Sequence, residues 1–265
     1  MQRLDESLRR QLLLHDAAYV GKPFPLKGDI AVAIQANVRH LALLLLNTEI
    51  ADRASRAAAF CGALIEAVRE THIKEQVACA RGCFHCCTTY VSTSLPEVFN
   101  LARAVRGKVG TEARIHDAAA RARAMPQLQR EVTRVICPIL EEQACSEYAA
   151  RPVVCRAVLS TSLESCLRIF QQGGREPFPS PASLGGLRSY VVMILRAALR
   201  LAELPHQNFE LTHALTIALT VPDSEARWLA GENIFAGVAM DQMELQDSPI
   251  NKIVEGLAGA VRPTI

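Results

Sequence analysis

Apolar residues recur at intervals of three and four along most of this chain, the period of a helix buried on one side. Strict alternation, the mark of a half-buried strand, is scarce. Between Asp29 and His72 the apolar positions Ile30, Val32, Ile34, Val38, Leu41 and Leu45, then Phe60, Leu64, Ile65 and Val68, predict two or more long helices. Ser94-Leu-Pro-Glu97 has the chemistry of a helix start. Ser94 can cap, Glu97 can reach back to its amide, and Pro96 suits the first turn. That helix is predicted to run through Val98, Leu101 and Val105 and to stop near Gly107. Thr111–Ala124 predicts another, ended by Met125-Pro126. Gln127–Ile136 is expected as a short helix or an extended lead-in, and Cys137–Cys155 as loops and turns. A helix carrying Cys166 is predicted from Ser160–Ser162 to Gly173-Gly174. Leu187–Leu204, Phe209–Leu219, Ser224–Val238 and Asn251–Val261 complete the helical set.

Residues 175–186, REPFPSPASLGG, read as the clearest linker, with three prolines and two glycines. No internal repeat or low-complexity tract interrupts the pattern. The predicted fold class is all-α: a helical bundle with a loop-rich, cysteine-ligated metal-binding cap. Residues 1–78 form an N-terminal helical segment, 79–170 the cysteine-cluster region, and 187–265 a C-terminal helical segment packed on the first, all within one compact domain.

Composition narrows the function. A chain of 265 residues, half of them hydrophobic, can bury a full core. A net charge of +2 gives no argument for nucleic acid or an anionic membrane. The N-terminus MQRLDESLRRQLLLHD reads as an amphipathic helix of mixed charge, without the apolar stretch and cleavage site of a secretory signal. The runs LALLLL (Leu41–Leu46) and YVVMIL (Tyr190–Leu195) fall far short of the ~20 apolar residues of a membrane span. These features predict a soluble, cytoplasmic chain with no membrane or nucleic-acid partner.

The nine cysteines change the picture most, because eight fall between Cys79 and Cys166. The run CARGCFHCC holds Cys79, Cys83, Cys86 and Cys87. Cys137, Cys145, Cys155 and Cys166 follow. In a reducing compartment such clustering reads as ligands rather than disulfides. Cys-x2-Cys and Cys-x3-Cys let a turn aim two sulfurs at one metal. Adjacent Cys86 and Cys87 diverge, so they are expected to serve different metals or to bridge. Eight thiols suit two four-sulfur sites or one polynuclear iron centre, and the pairing stays open. Cys137-Pro138 echoes the remote Cys-Pro that completes bacterial ferredoxin clusters.

A divalent ion held by four thiolates carries a net charge of about −2, which calls for cations nearby. Arg151 and Arg156 are the candidates to donate to sulfur, with Arg81 and Arg168 also close in sequence. His85, between Cys83 and Cys86, is expected beside the ligands rather than among them. Cys61 is expected to pack as a small hydrophobe in the core, as is Trp228. His206, Glu210 and His213 share one predicted helix face and read as a polar face near a helix start. Tyr148 is expected to pack beside the Arg-Pro turn.

Together, CARGCFHCC, CPILEEQACSEYAARPVVCR and Cys166 resemble the YkgJ-type CxxCxxCC family of zinc- or iron-chelating domains. The matching positions are Cys137, Pro138 and Leu140, then Cys145 and Tyr148, then Arg151, Pro152, Cys155 and Arg156. The resemblance covers residues 79–170. The first gap, x3 where the family name has x2, looks like the version in flagellin lysine-N-methylase, a relative of the family associated with an iron–sulfur centre. Ile139 replaces the usual aromatic. The resemblance implies metal binding. It points to an iron–sulfur cluster or iron, and to a protein or peptide substrate if the chain is an enzyme; the alternative is a structural zinc-binding, or a metal-handling or redox-sensing, protein without catalysis. A methylase also needs an S-adenosylmethionine site, and no Gly-rich strand-to-helix turn of the dinucleotide type is present.

Overall fold

The computed structural model describes residues 30–126, 129–130, 133–172, 178–181, 184–240 and 249–261. The expected N-terminal amphipathic helix, part of the Gln127–Ile136 lead-in, the Gly173-Gly174 stop and part of the 175–186 linker lie outside them. Among the described residues the fold is all-α apart from four short strands. No described helix is long and apolar enough to cross a membrane.

The predicted long helices are α1 (Ile30–Leu46) and α2 (Arg53–His72). The capping sequence starts α3 (Leu95–Val105), where the Ser94–Glu97 capping box forms with Pro96 in the first turn. Next come α4 (Val109–Arg123), the single turn α5 (Val153–Arg156) and α6 (Leu163–Gln171), whose cap Ser162 accepts the Ser165 amide. The C-terminal set is α7 (Leu184–Leu201), α8 (Leu211–Thr220), α9 (Ser224–Leu229) and α10 (Pro249–Val261).

One predicted helix is much shorter than expected. Ser224–Val238 reads as continuous, yet α9 stops at Leu229. Gly231, at φ +91, takes the left-handed conformation, and the Glu232 amide reaches back to the Arg227 carbonyl. This is a glycine helix stop. The apolar positions beyond it, Phe235 and Val238, are still buried.

Helix α2 packs against both α3 and α7; α7 carries α1 and α10, while α8 bridges α3 and α4. N- and C-terminal helices therefore share one core. Val38 and Leu41 of α1, Cys61, Leu64 and Ile65 of α2, Val98 of α3, Val191 and Ile194 of α7 and Leu215 of α8 are fully buried. Each aliphatic side chain among them stabilises the fold by about 1.5–3 kcal/mol relative to exposure. Cys61 sits here as expected, and Trp228 packs on Phe99 at 5.4 Å.

Strands β1 (Ser92–Ser94) and β4 (Asn208–Glu210) pair antiparallel, Thr93 opposite Phe209. Each leads directly into a helix, β1 into α3 and β4 into α8, so the ribbon sets two helix starts side by side. Strands β2 (Leu140–Glu141) and β3 (Ala144–Cys145) form a tight hairpin. Its turn residues Glu142 and Gln143 both have positive φ, as a two-residue hairpin turn requires. Ile139, Ala150 and Val153 seat the downstream cysteine segment on the main core. Beneath the upstream run lies a second, much smaller buried cluster of Ala157, Leu159 and Leu184, against which Cys79 packs.

Candidate metal centre

The upstream cysteines stand on two consecutive turns. Gly82, at φ +89, allows the chain to fold back so that the Cys83 amide bonds the Ala80 carbonyl at 3.0 Å. A 3₁₀ turn, His85–Thr88, then carries Cys86 and Cys87 and packs against α6. Thr88 Oγ1 and Thr89 Oγ1 donate to the His85 and Cys86 carbonyls, each at 2.9 Å, which fixes the turn without a regular helix.

Backbone hydrogen bonds bring the downstream segment to this turn. The Cys137 amide donates to the Cys87 carbonyl at 2.8 Å, and the Val135 amide to the Thr88 carbonyl at 3.1 Å. Cys145 lies on β3 and Cys155 within α5. The start of α5 is anchored by Glu97: one carboxylate oxygen accepts the Val153 amide at 2.7 Å. The other accepts Thr93 Oγ1 at 2.6 Å, Ser94 Oγ at 2.7 Å and the Ser94 amide at 3.1 Å. Cys166 is buried on α6. Ser160 joins the two ends of the cysteine region, since its carbonyl accepts the Ala78 amide at 2.7 Å and its amide donates to Cys79 Sγ at 3.3 Å.

The thiols influence one another in two overlapping groups. Burial pushes the Cys79 thiol up, and Cys83, Cys86 and Cys166 add to it. Burial likewise raises Cys166, with Cys83 and Cys86 adding, against the Ser160 hydroxyl. On the other side, burial pushes Cys137 up to about 11, with Cys145 and Cys86 contributing. Cys155 is raised by burial, then by Cys137, Cys145 and Cys86, against Arg151. Cys145 is raised chiefly by burial. Cys86 belongs to both groups, and its thiol is raised first by the hydrogen bond with Cys87 and then by burial. All nine cysteines are free thiols. Among the described residues, however, no set of three or more His, Cys, Asp or Glu side chains stands close enough to hold a metal ion as placed.

The residues expected around the sulfurs divide. Arg151 faces the thiols: its charge lowers Cys86, Cys145 and Cys155. Its guanidinium lies over the Tyr148 ring, 3.6 Å from the centroid, while Nε is buried without a hydrogen-bond partner. Arg156 is committed to the scaffold. Its Nε donates to the Arg151 carbonyl at 2.8 Å, Nη1 to Glu66 at 2.9 Å, and Nη2 to the Ala149 carbonyl. It clamps the turn before α5 onto α2, so those donors serve backbone carbonyls and Glu66 rather than sulfur. His85 Nδ1 meets Gln171 Nε2 at 3.0 Å, which joins the 3₁₀ turn to α6. Arg168 bonds Glu164 and Ser165 along α6. Tyr148 is exposed but covered on one face by Arg151.

Glu210 lies at the base of the expected His206–Glu210–His213 face, and its carboxylate caps α8 by accepting the Thr212 and His213 amides at 2.8 and 2.7 Å. The polar helix start is present, but the shared helix face is not: His206 precedes β4 and Glu210 ends it, so only His213 lies on α8. Sequence reasoning found Glu97 as a cap but not as the anchor of the Cys155 turn, because nothing local pairs residues 56 apart. It also missed Ser160, Tyr90, Arg130 and Glu210 as neighbours of the site. Arg130 pairs with Glu210 at 2.9 Å and lies over the Tyr90 ring.

The donor set suits a soft cation. Six of the eight thiols, Cys79, Cys86, Cys137, Cys145, Cys155 and Cys166, are harder to ionise, Cys86 first through its hydrogen bond with Cys87 and the others chiefly through burial, and the charge of Arg151 opposes this at Cys86, Cys145 and Cys155. A bound cation would compensate the negative charge of the deprotonated thiols and so favour their ionisation, and thiolates are the natural ligands of zinc and iron–sulfur centres. The chain matches no protein-family description, no curated protein and no solved structure.

Proposed function

We propose that Cys79, Cys83, Cys86, Cys87, Cys137, Cys145, Cys155 and Cys166 bind a metal centre, an iron–sulfur cluster or iron. The position of Cys86 carries this reading: it acts on thiols of both the upstream and the downstream segment, 137–155, as well as on Cys166. Cys79, Cys83 and Cys166 would supply one set of sulfurs and Cys137, Cys145 and Cys155 the other. Cys86 and Cys87 stand at the junction, where one of them completes each set or bridges the two. Arg151 would offset the negative charge of the thiolates. An iron–sulfur centre would supply electron transfer or Lewis-acid activation. The chain's own contribution is the hydrogen-bonded frame of Glu97, Ser160 and Arg156 that holds the ligands in register.

The motif resemblance to YkgJ-type domains and to flagellin lysine-N-methylase supports the same reading and extends it toward an enzyme acting on a protein or peptide side chain. Nine unpaired thiols fit a cytoplasmic setting. The test is metal and sulfide content of anaerobically purified Cys155→Ser and Cys166→Ser variants, with circular dichroism to confirm helicity. Each is expected to lose metal, about half if two four-sulfur centres are present. Full metal content in both variants, equal to the parent's, would sink the assignment. Zinc without sulfide would replace iron by a structural role.

A further inference from the structure

A cavity of about 550 Å³ lies against the same thiols. Cys86, Cys87, Cys137, Cys145 and Cys155 form one wall. Ala122 of α4, Val154 of α5, and Val192 and Met193 of α7 supply an apolar lining, and the β4–α8 junction closes another side. The volume and mixed lining are those of a small-molecule pocket. Among the described residues its charge is one-sided: Arg121, Arg130, Arg151, Arg188 and Arg196 line it, and Glu210 is the sole lining carboxylate. Glu210 is already taken by Arg130 and by the amides at the start of α8.

The thiols do not account for all of this positive charge. Arg151 acts on them, whereas Arg130 bears on His213 and Arg196 on His206, both flanking the β4–α8 junction. Two lining groups, Arg151 Nε and Ser92 Oγ, are buried without a hydrogen-bond partner. Buried donors are nearly always satisfied, and leaving one unmet costs about 1–3 kcal/mol. Two such donors on residues that line one cavity, among guanidiniums, favour a ligand rich in acceptor oxygens that a small side-chain turn would bring within reach.

We infer that this cavity binds a small organic oxyanion with an apolar body. Its carboxylate or phosphate oxygens are taken by the arginines and Ser92, and its body lies on the Val192–Met193 side against the thiols. This places an organic ligand in contact with the cysteine centre, and it stands independently of which metal, if any, the thiols hold.

Titration calorimetry on the full chain, in its anaerobically purified form with metal content measured in the same sample, tests this. The probes are octanoate, octyl phosphate, 1-octanol and octyltrimethylammonium. Saturable binding of one or both anions is expected, at least about tenfold tighter than the alcohol, with no binding of the cation. The two anions distinguish a carboxylate from a phosphate site. Val192→Trp should fill the cavity and weaken anion binding about tenfold or more. Ser92→Ala, which removes an unsatisfied hydroxyl and should leave the melting temperature unchanged, should weaken it several-fold. Failure of both anions to bind, equal affinity for anion and alcohol, or unchanged affinity in both variants would overturn the inference. Anion binding by a metal-free sample would refute the metal reading alone; metal without anion binding would refute this one alone.

Discussion

Cys137 shows how one residue reports on the whole site. Burial, with Cys145 and Cys86 beside it, moves its thiol from an ordinary 9.0 to about 11. Folding without metal therefore favours its protonated form. That contribution to stability is complete below the unfolded value and is lost as pH rises through the folded one. Reduced, metal-free protein should lose melting temperature between about pH 9 and pH 11. With metal bound the sign reverses at the other end: thiolates are protonated and the cation leaves as pH falls. The loaded protein should hold through the alkaline window and lose stability toward acid. Thermal unfolding against pH, with and without chelator, checks both limbs. The same alkaline loss in both samples would contradict ligation by these thiols. Residues of this kind were legible in the sequence because cysteine spacing is local. Arg156 was not: its role as a clamp on Ala149, Arg151 and Glu66 depends on a helix nearly a hundred residues upstream.

At the scale of elements, two joints decide where the cysteine segments sit. The first is Glu97, which caps α3 and holds the α5 amide of Val153. Glu97→Ala removes the cap partner and leaves a buried amide unpaired. A loss of about 1–3 kcal/mol is expected in denaturant unfolding, with Cys155-side metal lost before Cys166-side metal. The second is Gly62 on α2. A Cβ there would stand 3.3 Å from Nε and Nη2 of Arg156, whose guanidinium cannot yield without giving up its bonds. Gly62→Ala gains about 1 kcal/mol of helix propensity but meets an overpacking cost of about 1–3 kcal/mol, so a net loss of stability is expected. A higher melting temperature would show that the clamp is slack. The capping box at Ser94–Glu97 and the long apolar helices could be read directly, since cap chemistry and helical period are local signals. The β2–β3 hairpin could not, because Glu142-Gln143 lacks the glycine or asparagine that marks such turns. The end of α9 was overrun for a related reason: Phe235 and Val238 keep an apolar pattern past the Gly231 stop.

The whole molecule is a helical bundle in which chain segments before and after the cysteine region share one core, and the cysteine segments rest at its side. That division of labour was foreseeable from composition and period. What the pattern could not give was the cavity between the thiols and α7, because its walls come from residues scattered from Cys86 to Thr212. The large common core predicts that chelation leaves most helicity intact and loosens the cysteine segments, which have only a small buried cluster of their own beneath Cys79. The most direct test of the central claim is metal and acid-labile sulfide per chain, measured on anaerobically purified full-length protein together with its visible spectrum. Stoichiometric iron with sulfide and a brown absorbance is the predicted result. A reduced, folded protein holding no stoichiometric metal of any kind would contradict it.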